Sequence, residues 1–286
     1  MKKVQRTFYP GSEWIYFKVY TGIKTADILL IFAILPLYKK LMREKKISKC
    51  FFIRYTDPGF HLRLRMLVND PSDIGYILTA WYKVMKKYGE DGRINRIDIS
   101  TYHRELERYG EKHIESAETL FSIDTLCILS LLSILYKKDE NYRWMVALKM
   151  IDVFFDDLQF DLAQRSSCIE RMSEGYKMEF GFNMYNAKQL NAIYRDKRST
   201  IVSVLATTPE NPDLAAAFDV LGKRSKQIKK LVESGAEMPE NNLSSYIHMM
   251  MNRLFRSKNR MHELLIYDFL SRYYKSELAK QKKKDE

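Results

Sequence analysis

The first hundred residues alternate between short segments with strand-like patterning and longer segments with helical spacing. The strand-like segments, rich in β-branched and aromatic residues, are residues 13–20, 50–55, 60–68 and 93–100. The helical segments are residues 24–46 and 70–89. Pro36 is expected to kink the first helix, and Pro71 to stand at the first position of the second. The order β-α-β-β-α-β predicts a ferredoxin-like sheet with both helices on one face.

The rest of the chain has apolar positions at helical spacing almost throughout. Apolar residues recur every three or four positions in residues 114–137, 142–161, 213–235 and 243–257. Residues 207–213, with two prolines, are predicted to be the least ordered connection. We therefore predict an α+β fold, with a ferredoxin-like sheet unit at residues 1–100. A mostly helical part at residues 101–286 is predicted to pack on it, so that both form one compact domain.

The predicted strand at residues 60–68 has two chemically different faces. Phe60, Leu62, Leu64 and Met66 alternate with His61, Arg63 and Arg65. Successive side chains of a strand point to opposite faces, so the apolar set should meet the two helices. The basic set then looks toward the helical part. Complete cover over these cations would require anionic partners, whereas a remaining cleft would bind an anion.

Two further polar clusters lie in the helical part. Glu105 and Arg108 are three residues apart and, with Arg104, can share one helical face. His248 and Asn252 lie one turn apart, opposite an apolar stripe. For each of these clusters, and for the basic strand face, a solvated surface is the simpler interpretation when it is taken alone.

Composition narrows the classes of function without naming one. The 286 residues include 48 basic and 36 acidic ones, and the net charge of +12 favours an acidic partner. Interleaved aromatic and basic RNA motifs, zinc fingers and helix-turn-helix signatures are absent from the sequence, so nucleic acid binding is not expected as the main function. Phosphate-binding Gly-rich loops, G-x-S-x-G and dinucleotide fingerprints are absent as well. We expect no metal and no other cofactor.

The cysteines and apolar stretches bear on location. Three widely separated cysteines form no disulfide framework, which favours a reducing cytoplasm. No secretory segment is visible. The apolar stretches at residues 28–37 and 126–135 are half as long as the roughly 20 residues that a membrane span needs, so we predict buried helices and no span.

Three sequence motifs together carry a family resemblance. They are FFIRYTDPGFHLRLRM, then YHRELERYG followed by AETLFSIDT, and later SYIHMMMNRLF. In this order and at these separations they resemble the C-terminal domain of lantibiotic dehydratases, which also occurs alone as a thiopeptide-type bacteriocin biosynthesis protein. The resemblance extends over residues 14–274. Glu111 stands where the family often has a second glycine, and Thr125 where it often has serine.

The resemblance implies a lyase of ribosomally synthesised and post-translationally modified peptide (RiPP) biosynthesis. In the family, a partner protein or N-terminal domain esterifies Ser or Thr of a precursor peptide with glutamate from glutamyl-tRNA. The domain that this chain resembles then eliminates the glutamate and leaves dehydroalanine or dehydrobutyrine. The expected partners are the glutamylated precursor peptide and a separate glutamyl-tRNA-dependent glutamylating protein, which makes this chain one half of a split dehydratase. Direct tRNA binding is not expected, and a homodimer stays open.

The resemblance also implies roles for individual residues. The predicted catalytic residues are Arg65, Arg108 and His248. The predicted substrate-binding residues are His61, Arg63, Glu105 and Asn252. Arginine binds a carboxylate through two parallel hydrogen bonds, and a fixed cation stabilises developing negative charge. Histidine exchanges protons near neutral pH, and whether His248 acts as base or acid is left open.

Two other functions remain open at this point. A thiopeptide cyclase has a similar domain and length, and joins two dehydroalanines into a nitrogen heterocycle by a formal cycloaddition. A non-catalytic module would only hold the precursor peptide for its partner. The set of arginines favours elimination, because a cyclase has no glutamate to bind.

Overall fold

The computed structural model describes residues 4–206, 209 and 211–285. The chain divides into two compact units: Met1–Ser133 with Lys230–Ser257, here called unit 1, and Ile134–Lys229 with Lys258–Glu286, called unit 2. The predicted division after residue 100 falls inside unit 1, because helical segments from the later part of the chain group with the sheet. The prediction of one compact domain stays a prediction. Most of the loop predicted at residues 207–213 lies outside the described residues.

The strands that the structure describes all belong to unit 1. They are β1 (Thr7–Phe8), β2 (Trp14–Thr21), β3 (Ile47–Tyr55), β4 (His61–Val68), β5 (Ile94–Ile99) and β6 (Tyr102–His103). Four of them form an antiparallel sheet in the order β3-β4-β2-β5, and β1 pairs with β6. The four predicted strands are thus present, with ends displaced by a few residues.

The helices account for most of the remaining chain. They are α1 (Ile23–Leu29), α2 (Leu35–Arg43), α3 (Ile74–Glu90), α4 (Leu106–Tyr109), α5 (Ile114–Ile134), α6 (Asn141–Asp157), α7 (Leu162–Glu179), α8 (Met184–Ala206), α9 (Pro212–Glu233), α10 (Leu243–Leu254) and α11 (Asn259–Asp285). A π-helical segment, Leu30–Ile34, joins α1 to α2 just before Pro36. Pro36 has no amide hydrogen to donate, so the predicted interruption takes the form of a wider turn.

One sheet face forms the core of unit 1. Leu62, Leu64 and Met66 of β4 are completely buried, as the alternation predicts. On the same face Phe17 of β2 stacks on Trp81 of α3, with ring centroids 4.1 Å apart. Burial of a side chain of this size contributes roughly 1.5–3 kcal/mol.

Side chains from α5 and α10 pair with the outer edge of β3. The hydroxyls of Ser122 and Thr125 accept hydrogen bonds from the amides of Cys50 and Phe52, at 3.1 and 3.4 Å. Arg253 Nε donates to the carbonyl of Phe52 at 2.8 Å. Edge backbone groups that would otherwise be unpaired are therefore satisfied within unit 1.

Helix α5 is long and apolar enough to cross a membrane by length and composition alone. In the structure 67% of its most apolar window is buried inside the protein, as in a core helix. The apolar stretch at residues 126–135 lies mostly within this helix, as predicted. Its burial explains the high apolar content.

Candidate active site

Arg65 of β4 is surrounded by aromatic rings. Its guanidinium carbon lies 4.4 Å from the ring centroid of Tyr16, 4.9 Å from that of Tyr102 and 5.4 Å from that of Phe51. The strand register produces this arrangement, because Tyr16 and Phe51 are the two cross-strand partners of Arg65. Arg65 is 8% exposed.

The charge of Arg65 is not neutralised by a carboxylate in the part of the chain that the structure describes. Its Nε atom is buried there without a hydrogen-bond partner. A ring face attracts a cation by about 0.5–2 kcal/mol, but offers it no hydrogen-bond acceptor of carboxylate strength. Arg65 therefore keeps donor capacity for an incoming anion.

A narrow cleft lies beside Arg65. Its volume is about 30 Å³, which is room for solvent but not for a peptide side chain. Residues that line it include Arg65, Tyr102, Glu105, Tyr109, Met249 and Arg253. A substrate that reaches Arg65 must therefore displace side chains at this cleft.

Glu105 and Arg108 form an exposed ion pair. Arg108 Nη1 lies 3.3 Å from Glu105 Oε2, and their side chains are 48% and 57% exposed. Exposed pairs of this kind contribute about 0–1 kcal/mol, so a charged ligand can separate them at low cost. Because Glu105 lines the cleft, separation of this pair would change the cleft wall.

Tyr109 is a cleft residue that the sequence interpretation did not include. It is buried and stacks on Tyr246 with ring centroids 5.6 Å apart, directly after Arg108 in the chain. Burial, together with the nearby Glu105 carboxylate, raises the pKa of Tyr109 to about 12, so its hydroxyl stays protonated. The only signal in the sequence was its position inside the YHRELERYG motif.

Arg104 does not share a helical face with Arg108, which corrects the sequence-based expectation. Helix α4 begins only at Leu106, so Arg104 belongs to the segment after β6. Its Nε and Nη2 atoms each donate to a different oxygen of buried Glu118, both at 2.7 Å. The Tyr102 hydroxyl donates to the same carboxylate at 2.9 Å. This buried cluster anchors the ring that packs against Arg65.

His61 and Arg63 form a second polar pair on the basic face of β4. His61 Nδ1 lies 2.7 Å from the carbonyl oxygen of Gly59, and Arg63 Nε donates to His61 Nε2 at 3.1 Å. Because a guanidinium can only donate, His61 is neutral with its proton on Nδ1. Burial lowers the pKa of His61 and favours this form. The guanidinium of Arg63 lies 3.4 Å from the ring centroid of Tyr55.

Asn252 of α10 is bound to the sheet edge. Its Oδ1 accepts from the amide of Arg54 at 2.8 Å, and its Nδ2 donates to the carbonyl of Arg54 at 2.9 Å. The predicted role as a substrate-binding donor would require this two-point contact to open. Asn252 thus belongs to the side chains that pair with the outer edge of β3.

His248 lies on the same side of α10, half-buried, one residue before Met249. Met249 and Arg253 line the cleft, whereas His248 is not among the lining residues that the structure describes. The cleft thus joins Arg65 and Glu105, with Arg108 paired to Glu105. It does not include His248, His61, Arg63 or Asn252.

Arg253 is a second cleft residue that the sequence interpretation omitted. It is completely buried, its guanidinium lies 4.8 Å from the ring centroid of Phe121, and Nη1 lies 3.8 Å from Asp124 Oδ2. Arg253 and Asp124 both belong to the sequence motifs that carry the family resemblance. Their spacing along the chain gave no sign of this contact.

Comparison with known proteins supports the resemblance. The sequence profile of the family described as "Lantibiotic biosynthesis dehydratase C-term" matches residues 14–274. The nisin biosynthesis protein NisB of Lactococcus lactis subsp. lactis is 33% identical over 143 residues, which are 50% of this chain and 14% of NisB. The subtilin biosynthesis protein SpaB of Bacillus subtilis is 26% identical over 270 residues, 90% of this chain and 25% of SpaB.

Solved structures share the fold. The tRNA-dependent lantibiotic dehydratase MibB from Microbispora sp. 107891 matches with a TM-score of 0.73 and 18% identity, over 96% of this chain and 29% of MibB. The pyridine synthase TbtD from thiomuracin biosynthesis matches with a TM-score of 0.61 and 14% identity, over 92% of this chain and 99% of TbtD. The chain therefore spans a quarter or less of the two lantibiotic relatives, and nearly all of TbtD. Since the family profile extends over most of the sequence, the chain belongs to the lantibiotic dehydratase C-terminal family.

Proposed function

We propose that this chain eliminates glutamate from glutamylated Ser or Thr of a precursor peptide and leaves dehydroalanine or dehydrobutyrine. The observation that supports this most is Arg65, a buried guanidinium beside a cleft without a carboxylate partner among the described residues. The leaving group of the reaction is itself a carboxylate, which is the ligand that arginine binds best.

The reaction breaks the Cα–H and Cβ–O bonds of the esterified residue and forms a Cα=Cβ double bond. The electron pair of the Cβ–O bond leaves with glutamate as a carboxylate, and the α-proton passes to a base. A guanidinium fixed beforehand by Tyr16, Phe51 and Tyr102 stabilises this developing charge without reorganisation. Arg65 is the residue that we assign to this role.

The exposed Glu105–Arg108 pair suits the other charges of a glutamyl group. When the pair separates, the guanidinium of Arg108 can bind a carboxylate through two hydrogen bonds. The carboxylate of Glu105 can then accept a hydrogen bond from the ammonium group. His248 is the proposed proton-transfer residue. Because His248 does not line the cleft, either its side chain moves or the substrate extends past Met249 to reach it. His61 and Arg63 lie further along the same strand and are proposed to bind more distant parts of the peptide.

The broader assignments follow the same proposal. The element order and the antiparallel order β3-β4-β2-β5 support a ferredoxin-like class for the sheet. A glutamyl-tRNA-dependent glutamylating protein is the proposed partner, because the elimination proposed here needs a glutamylated peptide as its substrate. The proposed location is the cytoplasm, where glutamyl-tRNA is made.

Mass spectrometry of a synthetic peptide with one glutamylated serine tests the proposal. Purified chain should remove the glutamyl group with loss of the serine oxygen, giving dehydroalanine. Hydrolysis back to serine, or binding without turnover, would contradict it.

A second candidate, a cyclase, is supported by the match over nearly all of TbtD. It predicts that a peptide with two dehydroalanines is cyclised while the glutamylated peptide persists.

A further inference from the structure

The two edges of the sheet in unit 1 differ in how their backbone groups are paired. The β3 edge is paired with side chains of Ser122, Thr125, Asn252 and Arg253. The other edge is β5, which pairs with β2 on one side only. Proteins normally protect a free edge, because its unpaired backbone groups bind another strand. The backbone groups of the β5 edge are therefore available to pair with another strand.

The register identifies which backbone groups point outward. The amide of Ser100 donates to the carbonyl of Tyr16 at 2.9 Å, so alternate residues from Ser100 back along β5 face β2. Ile97 and Ile99 consequently present their N–H and C=O groups to the outside, whereas the register shifts at Asn95. In the part of the chain that the structure describes, no hydrogen bond reaches these groups. Ile97 and Ile99 therefore offer unpaired backbone donors and acceptors to an added strand.

An apolar groove runs beside this edge. It has a volume of about 580 Å³, and Ile97 and Ile99 of β5 line it together with Leu78, Trp81, Tyr82 and Met85 of α3. Tyr82 is 60% exposed and Ile99 46%. An added strand would place every second side chain over this groove.

The opposite face of the sheet is cationic. Strands β2, β4 and β5 contribute Lys18, Arg63, Arg65 and Arg96 to it. The same strands contribute one carboxylate, Asp98, which lies 3.1 Å from Arg96. The remaining side chains of an added strand would face this cationic surface, which favours acidic residues there.

We propose that the free edge of β5 binds an extended segment of the precursor peptide as an additional strand. Apolar side chains of the segment lie in the groove beside α3, and acidic ones face Lys18 and Arg96 at alternate positions. The identity of the peptide rests on the proposed function. Because β5 pairs directly with β2, which carries Tyr16, the bound segment is continuous with the sheet face that holds Arg65.

The probe for this site is a fluorescein-labelled synthetic peptide of alternating valine and glutamate. Fluorescence anisotropy with the full chain should show binding. A peptide N-methylated at alternate residues should bind at least about tenfold more weakly, since it loses one side of the hydrogen-bond ladder. A peptide with lysine in place of glutamate should also lose about tenfold, because of charge repulsion.

Two variants test the same site from the protein side. Ile99→Pro removes an outward amide at an edge position where proline is tolerated, and Tyr82→Glu places a charge at the mouth of the groove. Each variant should bind the valine–glutamate probe about tenfold or more weakly than the parent chain does. Tyr185→Glu, at an exposed tyrosine of unit 2, is the matched control and should not.

Several results would overturn the proposal. They are equal binding of the N-methylated probe, unchanged binding by both variants, or no binding to the chain at about 1 mM protein. Sedimentation that shows a dimer abolished by Ile99→Pro would assign the edge to a second copy instead. Anisotropy does not depend on turnover, so loss of the elimination hypothesis would appear separately in the mass-spectrometric assay.

Discussion

Asn252 and Arg54 are joined by two hydrogen bonds across 198 positions of the chain. This contact makes Asn252 a part of the β3 edge. Asn252→Ala should therefore lower the free energy of unfolding of unit 1 by about 1–3 kcal/mol, because it leaves backbone groups of Arg54 unpaired. Thermal or urea unfolding measures the change, with Ser244→Ala on the exposed side of α10 as control. Unchanged stability with lost peptide binding would instead favour the predicted substrate-binding role.

Arg104 and Glu118 should behave as a buried pair. Arg104→Met leaves the Glu118 carboxylate without its two guanidinium bonds, which typically costs about 3–5 kcal/mol. The double variant Arg104→Met/Glu118→Leu also removes the unpaired buried carboxylate. It should therefore recover most of the lost stability. Chemical denaturation of the single and double variants measures both effects. A double variant no more stable than the single one would count against this explanation.

Tyr109 should contribute its hydroxyl to the cleft beside Arg65. Tyr109→Phe keeps the stack on Tyr246 and removes a hydroxyl donor from the cleft that Arg65 lines, so kcat for the proposed elimination should fall by about tenfold or more. The melting temperature should change little, because the ring remains. Tyr246→Phe, outside the cleft, is the matched control. Equal kcat values for the two variants would remove the hydroxyl from the mechanism.

His61 should make the protein less stable in acid. Its pKa is lowered above all by burial, and also by the nearby Arg63 and Lys18, while the hydrogen bond with Gly59 and the charge of Asp98 oppose the shift. Below about pH 6.5 the unfolded chain binds a proton that folded His61 resists, so stability falls as the pH decreases through this range. His61→Gln should therefore cost more stability at about pH 7.5 than at about pH 5.5. The same loss at both values, measured by urea unfolding, would contradict the assignment.

The strand pattern was predictable from the sequence because alternation is local. Phe60 to Arg65 specify which face of β4 is apolar, and the observed burial of Leu62 and Leu64 follows from it. The surroundings of Arg65 were not predictable. They depend on cross-strand register with Tyr16 and Phe51, which no single segment encodes.

The helical residues show the same limit. Spacing alone put Arg104 with Arg108, and the family resemblance treated Asn252 as a side chain for substrate. The structure assigns Arg104 to Glu118 and Asn252 to the backbone of Arg54. Both contacts join different elements of the fold, so neither the spacing nor the motif could reveal them.

Substitution of Arg65 tests the central claim most directly. Elimination from a glutamylated serine peptide is followed by mass spectrometry for Arg65→Gln, Arg65→Lys and the control Lys112→Gln, which removes an exposed cation of unit 1. We predict that kcat/KM falls by about a hundredfold or more in Arg65→Gln and by a smaller factor in Arg65→Lys, with Lys112→Gln unchanged. Turnover by folded Arg65→Gln within about twofold of the parent chain would contradict the account.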